Sequence, residues 1–263
     1  MSDCVFHFDR RLYVPSGHSR GPWDDAAQHG GAPAALLARE IERLQPGSDM
    51  FVARTTFEFL GPVPIEPLQA DAWIQRPGRR FQIVEAELRH AGRAVVRARA
   101  VRLRRTRVEL PEQALADGPP ACEGPDRSAR SPFPAAPGAL EGFHRTAMDI
   151  RFAGGTDYGL GRALAWFRLT MPLIAGETPT GLQRLVAAAD FGNGISRVLD
   201  FDRHLFVNTD LTVHVHREPA GEWVLVDART AADPGGAGLA VSRIYDEHGA
   251  LGVAAQTLFV DTR

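Results

Sequence analysis

One order of elements occurs twice in this chain, and that repeat constrains the fold more than any single motif. An apolar helix is followed by a run of strands, and the plan then returns. The first helix is "HGGAPAALLAREIERLQPG", from His29 to Gly47. Gly30 and Gly31 open it, Pro33 lies in its first turn, and Pro46-Gly47 closes it. Its first half is apolar nearly all round, as in a buried helix. Strand-like stretches follow, "FVARTTFEFL", "LQADAWIQRPG", "RFQIVEAELRH" and "RAVVRARAVRLRR", separated by Gly and Pro. The second helix lies in "GETPTGLQRLVAAADFGNG", with Thr178 read as its N-cap, Pro179 as its first residue and the late glycines as its stop. "HLFVNTDLTVHVHR", "GEWVLVDARTAA", "GLAVSRIYDEHG" and "ALGVAAQTLFVDTR" are the strands of the second round. The closing hairpins also match, "RHAGRAVVRARAVRLRR" lying over "DEHGALGVAAQTLFVDT". The pattern predicts an α+β chain: an N-terminal module over 1–110, a linker over 111–140 rich in Pro, Gly and Ala, and a C-terminal module over 141–263.

The composition narrows the function. The 263 residues are 44% hydrophobic and 24% charged, which suits a globular protein with a sizeable core. A net charge of −2 gives no overall attraction to nucleic acid or an anionic membrane, and neither is expected as a partner. Every basic side chain other than histidine is arginine, so a lysine nucleophile or Schiff base is excluded. Cys4 and Cys122 are isolated and form neither a disulfide framework nor a metal pattern. No apolar run is long enough to span a bilayer. "MSDCVFHFDRRLY" has no signal-peptide core, so a cytoplasmic location is expected.

Several short motifs have bland readings. "GHSRG" has the spacing of a nucleophile elbow around Ser19 but lacks the strand before it and the helix after it. Ser19 is read as a turn residue. Asp24 lies five residues before His29, a spacing open to acid–base work, although a turn cap and a packed helix start explain the pair more simply. "RARAVRLRRTR" reads as the solvated face of an edge strand. His214 and His216 alternate on one strand without an accompanying acid, so no metal site is expected. Gly30 and Gly31 can present backbone N–H groups to an oxyanion or phosphate, or can simply allow close packing.

Asp190, Asn208 or Thr209, and Gln256 stand apart. Each is polar in an apolar setting, and all lie in the second half. A buried carboxylate such as Asp190 is costly unless it reaches solvent or does chemistry. Matching the halves gives Ala38, Val52 and Arg99 as the counterparts of Asp190, Asn208 and Gln256. A structural need of the module would recur in both copies, and this set does not.

"GPWDDAAQHGGAPAALLAREIE", "AAADFGNG", "FVNTDLTVHVHR" and "GVAAQTLFV", taken in order, resemble the acyl-CoA thioesterases of the double hot-dog kind, related to bacterial thioesterase II. The resemblance runs from about Phe6 to Val260 and omits the linker. It implies two hot dogs, each a long helix wrapped by an antiparallel sheet, packed as a pseudo-dimer. It also implies an Asp on the second helix, a Thr or Ser-type residue on the next strand and a Gln on the last strand, which together hold and activate a water. Asp190 and Gln256 match. The middle position departs, with Asn208 there and Thr209 beside it. The expected reaction is hydrolysis of an acyl-CoA by an Asp190-activated water, without metal or cofactor. The oxyanion would be met from the other half near His29, Gly30 and Gly31. The rivals are a hot-dog hydratase using Asp24 and His29, and a non-catalytic acyl-CoA-binding module. Acyl chain length and homo-oligomer formation are left open.

Overall fold

The computed structural model describes residues 3–116, 118, 120–131 and 140–263. A hairpin, β1 (Phe6–Asp9) and β2 (Leu12–Pro15), precedes α1 (Gly31–Arg43), which is followed by β3 (Met50–Phe59), β4 (Gln69–Arg76), β5 (Phe81–His90) and β6 (Arg93–Arg104). Next come β7 (Ala129–Arg130), β8 (Met148–Phe152) and β9 (Ala163–Leu169). The second helix follows as α2 (Gly181–Ala189) with a short α3 (Gly192–Ile195), then β10 (His204–Asn208), β11 (Asp210–Val215), β12 (Val224–Asp233), β13 (Ala237–Asp246) and β14 (Gly249–Thr262).

Apart from the β1–β2 hairpin, the strands form one 12-stranded sheet in the order β4-β5-β6-β3-β11-β14-β13-β12-β9-β8-β7, with β10 also on β14. Every pairing within it is antiparallel, and β3 meets β11 where the halves join. The order β4-β5-β6-β3 recurs as β12-β13-β14-β11. The part of the expected linker at Ala129–Arg130 adds an edge strand to β8.

The sheet wraps both helices because α2 and the first half of α1 are buried on nearly every side. Leu36, Leu37 and Ile41 of α1 and Leu185 and Val186 of α2 are fully buried, each contributing about 1.5–3 kcal/mol by removal from water. Small residues bring the helices close. A side chain on Gly31 would stand 2.7 Å from the Ala187 carbonyl. The N-cap of α2 is Thr180, two residues later than expected, and its hydroxyl accepts the Gln183 N–H. At the same interface the buried Arg39 ties α1 to Glu177, ahead of α2, and to the Tyr13 hydroxyl. Burial and the bond to Glu40 push Tyr13 up to about 12. Among the described residues, no helix is long and apolar enough to cross a membrane.

Candidate active site

Asp190 is the residue at which α2 stops. It keeps helical angles, φ −68° and ψ −13°, but the helix restarts only at Gly192, so its side chain turns in towards the sheet. It is 6% exposed, in a half-protein whose neighbouring helix residues are apolar. Such a carboxylate needs partners, since hydrogen bonds to a charged group contribute about 1.5–3 kcal/mol each while an unmet buried charge costs more.

The partners come from three places. Asn208, the last residue of β10, donates from Nδ2 to Asp190 Oδ1 at 2.9 Å. Gln256, in mid-β14, donates from Nε2 to the same Oδ1 at 3.2 Å and to the Asp190 backbone carbonyl at 3.1 Å. The third partner comes from the first half, where His29 Nδ1 lies 3.0 Å from Asp190 Oδ2. The two carboxylate oxygens therefore differ. Oδ1 is held by two amides, and Oδ2 faces the imidazole.

Gln256 is 2% exposed and its amide is fully engaged. Its Oε1 accepts the Asn193 backbone N–H at 2.9 Å, which fixes Nε2 as the end facing Asp190. A side chain on Gly192 would come within 3.0 Å of that Oε1 and 2.6 Å of Ser242 Oγ, so α3 reaches β14 only with glycine there. Gly30 has a similar role at the mouth, where an added Cβ would stand 2.9 Å from both Asp190 Oδ2 and the Phe59 ring.

His29 is fixed on every side. Its ring stacks on Phe191 at 4.3 Å, and Phe143 lies 5.3 Å away. Its backbone N–H donates to Ser19. Nδ1 also accepts the Gly31 N–H at 3.1 Å. That nitrogen has one lone pair or one proton, so it serves Gly31 in one protonation state and Asp190 in the other. Behind it His144 is held down to about 4 by burial, then by the nearby His29 and Arg145, and is neutral at physiological pH.

The remaining expected residues fall less centrally. Thr209 is exposed and lines the same cleft, and its hydroxyl points at the Thr257 carbonyl, 3.4 Å away. Its backbone joins β10 to β11, donating to Thr257 and accepting from Phe59. Gly31 spends its N–H on His29, while no protein acceptor among the described residues takes the Gly30 N–H. Asp24 caps the Ala26 N–H at the rim, and the buried Ser19 donates its hydroxyl to the Ser16 carbonyl. The cleft outside Asp190 has a volume of about 300 Å³ and is lined by apolar side chains such as Trp23, Phe59, Phe201 and Val207. The sequence reading missed Asn193, whose only signal was a polar residue between two glycines, and the aromatic rings, which carry no periodic signal.

The first-half counterparts can now be read from the register. The hairpins β5–β6 and β13–β14 each carry a bulge, one between Leu88 and Arg89 and the other between Ile244 and Tyr245. Aligning them pairs Val84–Ala100 with Ala240–Gln256. Gln256 thus corresponds to the buried Ala100, not to the exposed Arg99. Matching glycine to glycine in the sequence slips the register by one residue, and one residue reverses the face. Ala38 lies mid-helix. The acid that ends α1 is Glu42.

Comparison with known proteins accords with this fold. Residues 19–103 match the acyl-CoA thioesterase N-terminal domain, and residues 117–260 match the acyl-CoA thioesterase C-terminal domain. No curated protein matches the chain. Among solved structures, a candidate thioesterase from Novosphingobium aromaticivorans is 20% identical, with a TM-score of 0.72, over 97% of this chain and 98% of its own. A hot-dog protein from Alicyclobacillus acidocaldarius is 18% identical, with a TM-score of 0.70, over 98% and 96%. An acyl-CoA thioesterase II from Mycobacterium marinum is 17% identical, with a TM-score of 0.61, over 98% and 93%. At such identities the likeness speaks for the hot-dog fold. The matches to both domains go further, and the chain belongs to the acyl-CoA thioesterase family.

Proposed function

We propose that this protein hydrolyses acyl-CoA thioesters with a water activated by Asp190 Oδ2. The observation that carries the reading is the asymmetry of the buried carboxylate. Asn208 and Gln256 hold Oδ1, so the second oxygen is aimed at the cleft as a base. Gln256 has no amide hydrogen left for water, and its role is to position Asp190. Asn208 lines the cleft and can accept from the water through its own oxygen, with Thr209 at the rim. The N-terminal module over 1–110 supplies His29 and Gly30, and the C-terminal module over 141–263 supplies the acid.

The water oxygen attacks the carbonyl carbon while its proton moves to Oδ2. The carbonyl oxygen becomes an oxyanion, met by the Gly30 N–H at the start of α1. When the tetrahedral centre collapses, the C–S bond breaks and CoA leaves as the thiolate. The proton passes from Oδ2 to His29 Nδ1 and then to solvent, which restores the carboxylate.

The test is to incubate the protein with a panel of acyl-CoAs and a thiol-reactive dye. Release of CoA by wild type, and its loss in Asp190→Asn, is expected. A change in enoyl absorbance without free CoA would favour a hydratase. Saturable binding without turnover would leave an acyl-CoA-binding module.

A further inference from the structure

The walls of the Asp190 cleft also limit the acyl group. Resting on the thioester-hydrolase reading of that cleft, we propose that the site prefers short and medium acyl chains to long ones. The volume is the first argument. A cleft of about 300 Å³ lies at the small end of the ~300–1,000 Å³ that ligand pockets span.

The walls are the second argument, because they close the cleft inwards and on one side. Inwards, between the helices, the way is blocked by rings. His29 stacks on Phe191, and Phe191 lies 4.9 Å from the buried Phe167. The helix backbones beyond are already in close approach at Gly31 and Ala187. Sideways, Trp23 from the first half packs on Phe201 from the second at 4.8 Å, and both pack on the buried Phe206 at 4.9 and 4.8 Å. This three-ring wall joins the halves across the cleft. Trp23 and Phe201 are half-exposed and belong to connecting segments, so these two side chains set how far an acyl tail extends.

The experiment is a series of straight-chain acyl-CoAs from two to sixteen carbons. kcat/KM should peak at four to eight carbons and fall at least about tenfold by twelve, since a filled apolar pocket penalises each added methylene. Trp23→Ala should raise the ratio of dodecanoyl to hexanoyl turnover at least about tenfold. Phe201→Leu, a milder change, should move it in the same direction. Palmitoyl-CoA turned over as well as hexanoyl-CoA would overturn the proposal while leaving the hydrolase reading intact. So would a ratio unmoved in both variants. If no acyl-CoA is hydrolysed, the hydrolase reading fails, and length preference is then read from calorimetric Kd values of wild type for octanoyl- and palmitoyl-CoA. Equal Kd values would overturn the length limit, and at least about tenfold weaker palmitoyl binding would uphold it.

Discussion

Two clefts in this molecule have the same construction and different contents. In each, an acid at the end of one helix faces the start of the other. Asp190 ends α2 against His29 and Gly30. Glu42 ends α1 against Thr180 and Gly181, beside a smaller cleft of about 220 Å³. The strands behind them occupy equivalent places, but their side chains differ. Where the first cleft has Asn208, the second has Val52, and where it has Gln256, the second has Ala100. Glu42 is bonded by the Thr180 hydroxyl at 2.8 Å and the Gln183 amide at 3.0 Å, both from the facing helix. Its carboxyl is raised above the usual range, first by burial. Duplicating the fold therefore supplies the recess and the acid twice. The strand amides that orient the acid, Asn208 and Gln256, occur once, and under the proposed mechanism only that cleft is catalytic.

The sharpest way to break this comparison is Asp190→Asn. It should cost about 10²–10⁴ in kcat with the fold kept, because the amide cannot take a proton from water. Unchanged CoA release at pH 7 to 8 would end the mechanism. Gln256→Ala should cost about 10², the usual effect of misplacing a reacting group by an ångström. The matched first-half change, Ala100→Ser, should leave kcat unaltered once circular dichroism shows it folded. Gly30→Ala should cost about tenfold in kcat, since its methyl group would displace Oδ2 by a few tenths of an ångström.

The stability of the two clefts should respond to pH in opposite senses. His144 lies below its ordinary value of 6.5, at about 4, so the unfolded chain binds the extra proton across that interval. Its contribution is present above pH 6.5 and is lost as pH falls through about 4. Glu42 is raised above its ordinary value of 4.5, so the folded chain holds the proton longer and stability falls as pH rises past that value. Glu42→Gln should accordingly raise the melting temperature at pH 7, with the gain closing below pH 4.5 and CoA release unchanged. A variant less stable than wild type at pH 7 would contradict the assignment. The smallest effect belongs to Thr209→Ala, whose exposed hydroxyl should shift stability by no more than about 0.5 kcal/mol and leave kcat near wild type.

The sequence alone determined the repeat, both helices, the antiparallel strands and the isolation of Asp190, Asn208 and Gln256 in one half. Those features are written locally, in periodicity, in Gly and Pro punctuation and in polar residues among apolar ones. Only the tertiary structure decided the rest. His29, left by its spacing as a packed helix start, meets Asp190 because α1 and α2 run side by side and bring opposite ends of the chain's two halves together. Gln256 turns from a holder of water into a holder of Asp190, because Asn193 on α3 takes its other end. Ala100 replaces Arg99 as its counterpart, because the two hairpin turns carry their glycines one position apart, and a one-residue slip exchanges the two faces of a strand. Pairwise geometry between segments far apart in the chain leaves no periodic trace, and the catalytic arrangement proposed here consists of such pairs.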